Sequence, residues 1–286
     1  MNWINRQLRE IGLSGLDDPN NILSVKFDTG GQVSYSKQRF FDACDDGLQI
    51  NYYDVNCNVS MYENKGKLKP FHRVRLEHPK DKQKYWQPQG SGNYIFCTPK
   101  IYKTDKISTL YVCEGEKKAF KLSTLGINAV GIGGKDNFSE KNSKLILEEL
   151  AKIVKAKNVL NLVLLLDSDV YKLGNSEDLF TRPLSFCNTV IRFNSLCRPL
   201  NCNVHFAHVE ESYLNQGITG IDDLFNHYEY QQNTVATDKI LNELNLLSAG
   251  NQRDRQFIKS YNVSTLSDYN IKVLFHVENI HSFFKF

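Results

Sequence analysis

"TLYVCEGEKKAFKLSTLGINAVGI", residues 109–132, climbs through an apolar run, breaks into Glu114-Gly115-Glu116-Lys117-Lys118, and ends in a second apolar run. The first part, TLYVC (109–113), reads as a buried strand. EKKAFKLSTLG reads as a helix closed by Gly126, and NAVGI (128–132) as a second strand. Strand, helix, strand is the repeating unit of a parallel sheet, because parallel neighbours need a crossover between them.

The unit recurs downstream. SEKNSKLILEELAKIVKAKN (139–158) places Ile146, Leu150, Ile153 and Val154 at helical spacing. VLNLVLLL (159–166) is too continuously apolar for a half-exposed strand and is expected at the centre of a sheet. A helical stretch after Pro183 leads to a fourth strand, NVHFAHV (203–209), and then to GIDDLFNHY (220–228). Four strand–helix alternations predict an α/β domain over residues 106–228, a mainly parallel sheet flanked by helices.

The flanks differ. Residues 1–105 carry turn signals such as DTGGQ (28–32), ENKGK (63–67) and PQGSGN (88–93), which predict a smaller region of short strands. Residues 229–286 are read as a helical appendage packed on the sheet, with helices in TDKILNELNLLS (237–248) and NQRDRQFIKSY (251–261).

Composition excludes several classes. At 286 residues the chain can bury one large or two modest cores, and 41% hydrophobic with 23% charged residues is ordinary for a globular protein. The start, MNWINRQLREIGLS, lacks the apolar core of a signal peptide, and no apolar run approaches the roughly 18 residues of a membrane span. Seven scattered cysteines without a C-x-x-C pair suggest neither a disulfide framework nor a zinc ribbon. A cytoplasmic protein with reduced thiols and no membrane partner is expected. The net charge of +3 decides little, but residues 63–106 hold eleven Lys/Arg against four Asp/Glu, so the surplus is concentrated there.

In parallel sheets ligands collect beyond the carboxyl ends of the strands. One strand here delivers Glu114 and Glu116, and the central one delivers Asp167 and Asp169. Residues i and i+2 of an extended chain share a side, so the two aspartates can share an ion and Glu114 can complete a cluster. Three close carboxylates repel unless a cation or proton neutralises them, and hard oxygen donors suit Mg²⁺ or Mn²⁺. The absence of His or Cys beside them argues against zinc. The bland reading is a solvent-exposed strand end with ordinary turn acids.

These residues carry a resemblance. LYVCEGEKKAFKLSTLGINAVGIGG (110–134) with LVLLLDSDV (162–170) resembles the Toprim domain of topoisomerases, bacterial-type primases and certain nucleases. The chain is more closely similar to the Toprim-like proteins encoded with plasmid and phage replication primases. FHRVRLEHPKDKQKYWQPQGSGNYIFCTP (71–99) resembles the segment preceding Toprim in those proteins. GITGIDDLF (217–225) resembles their Lys-Gly-x-Asp-Asp-x-Leu stretch, with Thr219 in place of the lysine. The likeness spans about residues 10 to 228.

The resemblance implies a Rossmann-like Toprim fold, with Glu114 as general acid or base and metal ligand and Asp167 and Asp169 as metal-binding, catalytic aspartates. One departure stands out. Many primase-type members carry Asp four residues after the glutamate, where this chain has Lys118. Glu116 either compensates or is a first-turn acid favoured by the helix dipole. Asp222 and Asp223 are second-tier candidates for the same reason.

Phosphoryl transfer would give such a site its use, since metal neutralises the reacting phosphate. Gly115, Gly131, Gly133 and Gly134 would let backbone approach phosphates, while GIGGK (131–135) lacks the G-x-x-x-x-G-K-S/T spacing of a P-loop. Lys117 and Lys135 are candidate phosphate contacts. In the basic segment Arg73, Arg75, Lys80, Lys82 and Lys84 interleave with Phe71, Tyr85, Trp86 and Tyr94. Cations for phosphates and rings for bases make a single-strand binding surface for DNA or RNA, although strand aromatics are often core. Three functions follow from the resemblance: a Mg²⁺-dependent, primase-related replication factor of a phage or plasmid, acting with a separate helicase or other replication protein; a metal-dependent nuclease; or a catalytically silent module that binds nucleic acid or a partner.

Overall fold

The turn signals of the first hundred residues are spent on short antiparallel strands. The computed structural model describes residues 2–29, 32–81, 83–140, 143–171, 181–247 and 255–275. Helix α1 (Trp3–Glu10) starts at Asn2, whose side chain accepts from the Ile4 N–H at 2.7 Å. β1 (Ile22–Thr29) and β2 (Gln32–Arg39) form a hairpin. β3 (Phe41–Cys44), β4 (Gly47–Asn51), β7 (His72–Lys80) and β8 (Gln83–Trp86) form a four-stranded antiparallel sheet, and β5 (Met61–Asn64) with β6 (Lys67–Pro70) a second hairpin.

β9 (Ile95–Cys97) and α2 (Pro99–Lys103) lead into the larger sheet. Its strands and helices alternate as the sequence predicts: β10 (Thr109–Glu114), α3 (Glu116–Thr124), β11 (Ala129–Ile132), α4 (Glu148–Ala156), β12 (Asn161–Leu166), α5 (Thr181–Cys197), β13 (Asn203–Val209) and α6 (Ile221–Tyr230). α7 (Thr234–Asn245), β14 (Ile258–Asn262) and α8 (Asp268–Leu274) follow. The strand order is β14-β13-β12-β10-β11-β9; the four inner strands are parallel and the two edges antiparallel. The result is a mixed α/β protein whose six-stranded sheet is flanked by helices.

The continuous apolar runs are explained by two cores, one on each face. Leu110, Val112, Leu162, Leu164, Leu166, Val204 and Phe206 point into one with α4, α5 and α8, while Tyr111, Cys113, Val163, Leu165, Ala207 and Val209 point into the other with α3, α6 and α7. A strand buried on both faces needs no polar alternation; each such side chain contributes about 1.5–3 kcal/mol of burial. A third core joins the smaller sheet to the larger one through Phe96 and Phe120, which pack with Phe40 and Phe41.

Two element predictions are corrected. The helix expected over 139–158 is helical only from Glu148. Ahead of it, Ser139 O accepts from Asn93 Nδ2 at 2.7 Å and the Glu140 carboxylate from the Asn93 N–H at 3.1 Å, bonds to another segment that compete with helix at residues 139 and 140. The helix expected over 251–261 is, where described, the strand β14, whose Ile258 and Ser260 are buried. The Glu243 carboxylate accepts from the N–H groups of Phe257 and Ile258 at 3.0 and 2.9 Å, which seats that strand on α7. The C-terminal segment, read as a helical appendage, thus supplies an edge strand of the main sheet.

Candidate functional site

β10 connects outward to β11 on one side, and β12 connects outward to β13 on the other. The crevice between the carboxyl ends of β10 and β12 is therefore the topological switch point of the sheet, where α/β proteins place ligands. Glu114 ends β10, and Asp167 directly follows β12. Gly115 turns the chain from strand to helix at φ +101°, a conformation other residues rarely take. Ser168 is held by its N–H bond to Thr219 O at 2.8 Å, which ties the acidic loop to the start of α6.

Each acid there has a different environment. The Glu114 carboxylate makes no hydrogen bond or ion pair among the described residues; burial first, then Asp167, pushes it above the usual range. Lys118 Nζ lies 2.7 Å from Asp167 Oδ1 and 2.9 Å from Oδ2, gripping both oxygens. Burial works against the charge on Lys118, but Asp167 and Asp222 outweigh it and hold the ammonium above its usual range. Asp169 pairs with Arg182, which also donates from Nε to the Asp169 backbone carbonyl at 2.8 Å. Asp222 is pushed up by burial, against the opposing influence of Lys118, and its Oδ1 has no partner. Asp223 caps α6, accepting from the Gly220 N–H at 3.2 Å and Thr219 Oγ1 at 3.1 Å.

The donors are chemically suited to Mg²⁺ or Mn²⁺, yet the arrangement does not fit one. Among the described residues no three His, Cys, Asp or Glu side chains are close enough to hold a metal ion. Two of the three carboxylates expected to share an ion carry cations of the chain's own instead. The position where the resemblance leads one to expect an acid, Lys118, supplies one of them.

A cleft of about 760 Å³ runs from the end of β10 to the smaller sheet. It is lined by Arg73, Arg75, Lys84 and Tyr85 from β7 and β8, and by Glu114, Glu116, Lys117, Lys118, Asp222 and Asp223 from the larger sheet and its helices. The basic segment and the first acidic strand end, distant in sequence, thus share one opening. Arg73 forms a buried ion pair with Glu116, which also accepts from the Tyr52 hydroxyl. Burial opposes the charge on Arg73, and Glu116 and Tyr52 more than offset it, so the guanidinium is held above its usual range. Glu116 is fully buried; it joins the two sheets and does not reach toward Asp167. Lys117 bonds Gln7 Oε1 at 2.8 Å and pairs with Glu10 of α1.

Arg75 and Lys84 make no ion pair among the described residues. The Arg73 and Arg75 guanidinium carbons lie 4.7 and 4.9 Å from the Tyr85 ring centroid, and burial raises the Tyr85 hydroxyl to about 12. The ring expected to stack on bases is thus occupied by arginines. Trp86 lies on the opposite face of the sheet, against His72, away from the cleft. Phe71 is core, stacked on Tyr94 at 4.0 Å. Lys135 pairs with Asp136 and donates to Thr189 Oγ1 of α5 at 2.9 Å, so it is engaged by its neighbour and by α5. Lys82 lies outside the described residues, as does the side chain of Lys80. The space beside Gly131 is taken by the Glu116 backbone and that beside Gly133 by the Arg73 guanidinium, so these glycines admit protein rather than phosphate. Sequence reasoning missed Tyr52, Gly220 and Arg182; nothing in the local sequence marks a partner so far from the acid it meets.

No protein-family model matches the chain, and no curated protein matches it. Among solved structures it is similar to the Aquifex aeolicus primase (zinc-binding and RNA polymerase domains), with a TM-score of 0.40 and 14% identity over 76% of this chain. The chain spans 43% of that protein's length. Among the described residues no helix is long and apolar enough to cross a membrane.

Proposed function

We propose that the chain is a Toprim-like nucleic-acid-binding protein that holds a single strand in the cleft between β7–β8 and the starts of α3 and α6. Four parallel strands with acids at the carboxyl ends of adjacent members support the Toprim-like reading. One observation carries the binding reading. Of the cleft cations, Arg73, Lys117 and Lys118 are each paired with a carboxylate, and Arg75 and Lys84 are left for phosphates. In this reading the chain presents a strand to a separate replication enzyme of a phage or plasmid and carries out no chemistry on it.

Fluorescence anisotropy with labelled single-stranded DNA, single-stranded RNA and duplex, all in EDTA, tests this. Single strands bind best, and each of Arg75→Glu and Lys84→Glu weakens binding. Losing one phosphate contact flattens the slope of log K against log salt by about 0.7. Binding that is indifferent to both substitutions overturns the reading.

A second reading, metal-dependent phosphoryl transfer by a primase-like enzyme or a nuclease, is favoured by Glu114. Its carboxyl is unpartnered and raised by burial and by Asp167, with Asp169 also contributing. It requires Lys118 and Arg182 to give up their aspartates. Labelled strands incubated with Mg²⁺ or Mn²⁺, with and without template and nucleotides, distinguish it: shortened products mean nuclease, new oligomers primase.

A further inference from the structure

We propose that the Lys118 ammonium is the resident counter-ion of the acidic strand ends, standing where a divalent cation would bind Asp167 and closing that carboxylate to metal. The contact is specific in form: one nitrogen within 2.9 Å of both carboxylate oxygens, the approach a cation makes when it chelates a carboxylate. The pair is also enclosed, the side chains of Lys118 and Asp167 being 16% and 22% exposed. Competition from water and salt is correspondingly weak.

The slot is shaped for this pair. Gly220 closes it from the α6 side, and a Cβ there would fall 2.6 Å from Lys118 Cε and 3.1 Å from Asp167 Oδ1. Gly220 has φ −110° and ψ 165°, which any residue can adopt, so space and not backbone conformation calls for glycine. Arg182 holds Asp169 differently, through one carboxylate oxygen and the backbone carbonyl, and leaves Asp169 Oδ1 without a partner; its guanidinium carbon lies 5.4 Å from the Phe186 ring centroid. A divalent ion has to displace Lys118 before it gains either oxygen of Asp167, whereas Asp169 Oδ1 is not held by Arg182. Mg²⁺ dehydrates reluctantly and needs near-octahedral oxygen geometry, so it competes poorly for such a site.

This inference does not depend on nucleic-acid binding, and its test does not measure it. Mn²⁺ binding to the full chain is followed by loss of the free-ion EPR signal and by calorimetry. The wild type binds Mn²⁺ no better than Asp167→Asn does. Lys118→Met frees Asp167 and tightens Mn²⁺ binding by about tenfold or more, a gain that the double variant Lys118→Met/Asp167→Asn loses. Lys118→Arg, which keeps the cation, gives no gain. Circular dichroism confirms that each variant is folded, and should Lys118→Met fail to fold, Gly220→Ala provides the alternative by crowding the lysine off its partner. Wild-type Mn²⁺ binding that Asp167→Asn abolishes overturns the proposal, as does the absence of any gain in both Lys118→Met and Gly220→Ala. Strand binding in EDTA, measured alongside, fails only if the nucleic-acid reading fails.

Discussion

Glu116→Gln is the substitution whose cost the structure predicts most directly. Glu116 is fully buried at the first turn of α3, paired with the Arg73 guanidinium, whose side chain is 9% exposed, and hydrogen-bonded by Tyr52. Exchanging the carboxylate for an amide preserves shape and removes the charge, so Arg73 is left buried without a counter-ion. Breaking a buried pair on one side costs about 3–5 kcal/mol. Arg73→Met exposes the opposite defect, but the two are not equivalent. A stranded carboxylate can take up a proton, whereas a guanidinium cannot lose one. The deficit of Arg73→Met therefore shrinks as the pH falls, and that of Glu116→Gln does not. The double variant Arg73→Met/Glu116→Leu leaves neither charge and recovers most of the loss, within about 1–2 kcal/mol of wild type. Urea unfolding at pH 5 and pH 8, followed by far-ultraviolet circular dichroism, measures all four proteins. Single-variant losses below about 1 kcal/mol, or a double variant as unstable as the sum of the singles, would refute the claim that this pair joins the two sheets.

Other expectations are simpler to state. Burial, then Asp54, raises the Glu149 carboxyl to about 8 from its ordinary 4.5. The native state thus keeps a proton that the unfolded chain releases, and stability falls between about pH 4.5 and 8 and is flat outside that window, with an upper limit of about 5 kcal/mol. Glu149→Gln should remove this slope and raise the pH 8 melting temperature; an unchanged slope rejects the assignment. Gly220→Ala should cost about 1–3 kcal/mol, because its Cβ crowds Lys118, Asp222 and Asp167 and disturbs the Lys118–Asp167 pair, and chemical denaturation checks that. Trp86→Ala should leave strand affinity within twofold or so of wild type, since the ring lies on the far face of the sheet from the cleft; a tenfold loss by anisotropy moves the interface.

The sheet was legible because its signals are local. A strand buried on both faces, such as residues 162–166 of β12, is apolar throughout, and Gly126 stops α3 through a positive φ of 86°. The edges were not legible. β14 was hidden in NQRDRQFIKSY, whose alternation is brief, and it is a strand because β13 and Glu243 supply its backbone partners. The acids were found at the strand ends where topology puts them, but their state was not, since it depends on which cation reaches them. Arg182 lies 13 residues beyond Asp169 across a stretch without a motif, and no spacing announces that meeting. Among the aromatics, composition suggested rings for bases, whereas Phe71 was drawn into the core and Tyr85 between arginines.

The burst of charge after Cys113 is best understood from the helix it begins. Successive helical residues point about 100° apart, so Glu116, Lys117 and Lys118 cannot all address one ligand. Each instead reaches a different element: Glu116 takes Arg73 on β7, Lys117 takes Glu10 on α1, and Lys118 takes Asp167 after β12. Lys121, one turn on, takes Glu229 on α6. α3 is thereby the electrostatic hub that fixes the small sheet, the first helix and the acidic loop around a single cleft. That division of labour sets the cleft's chemistry. With three of its cations committed to carboxylates, the proposed single-strand reading rests on Arg75 and Lys84, and use of Asp167 by a metal requires dislodging Lys118.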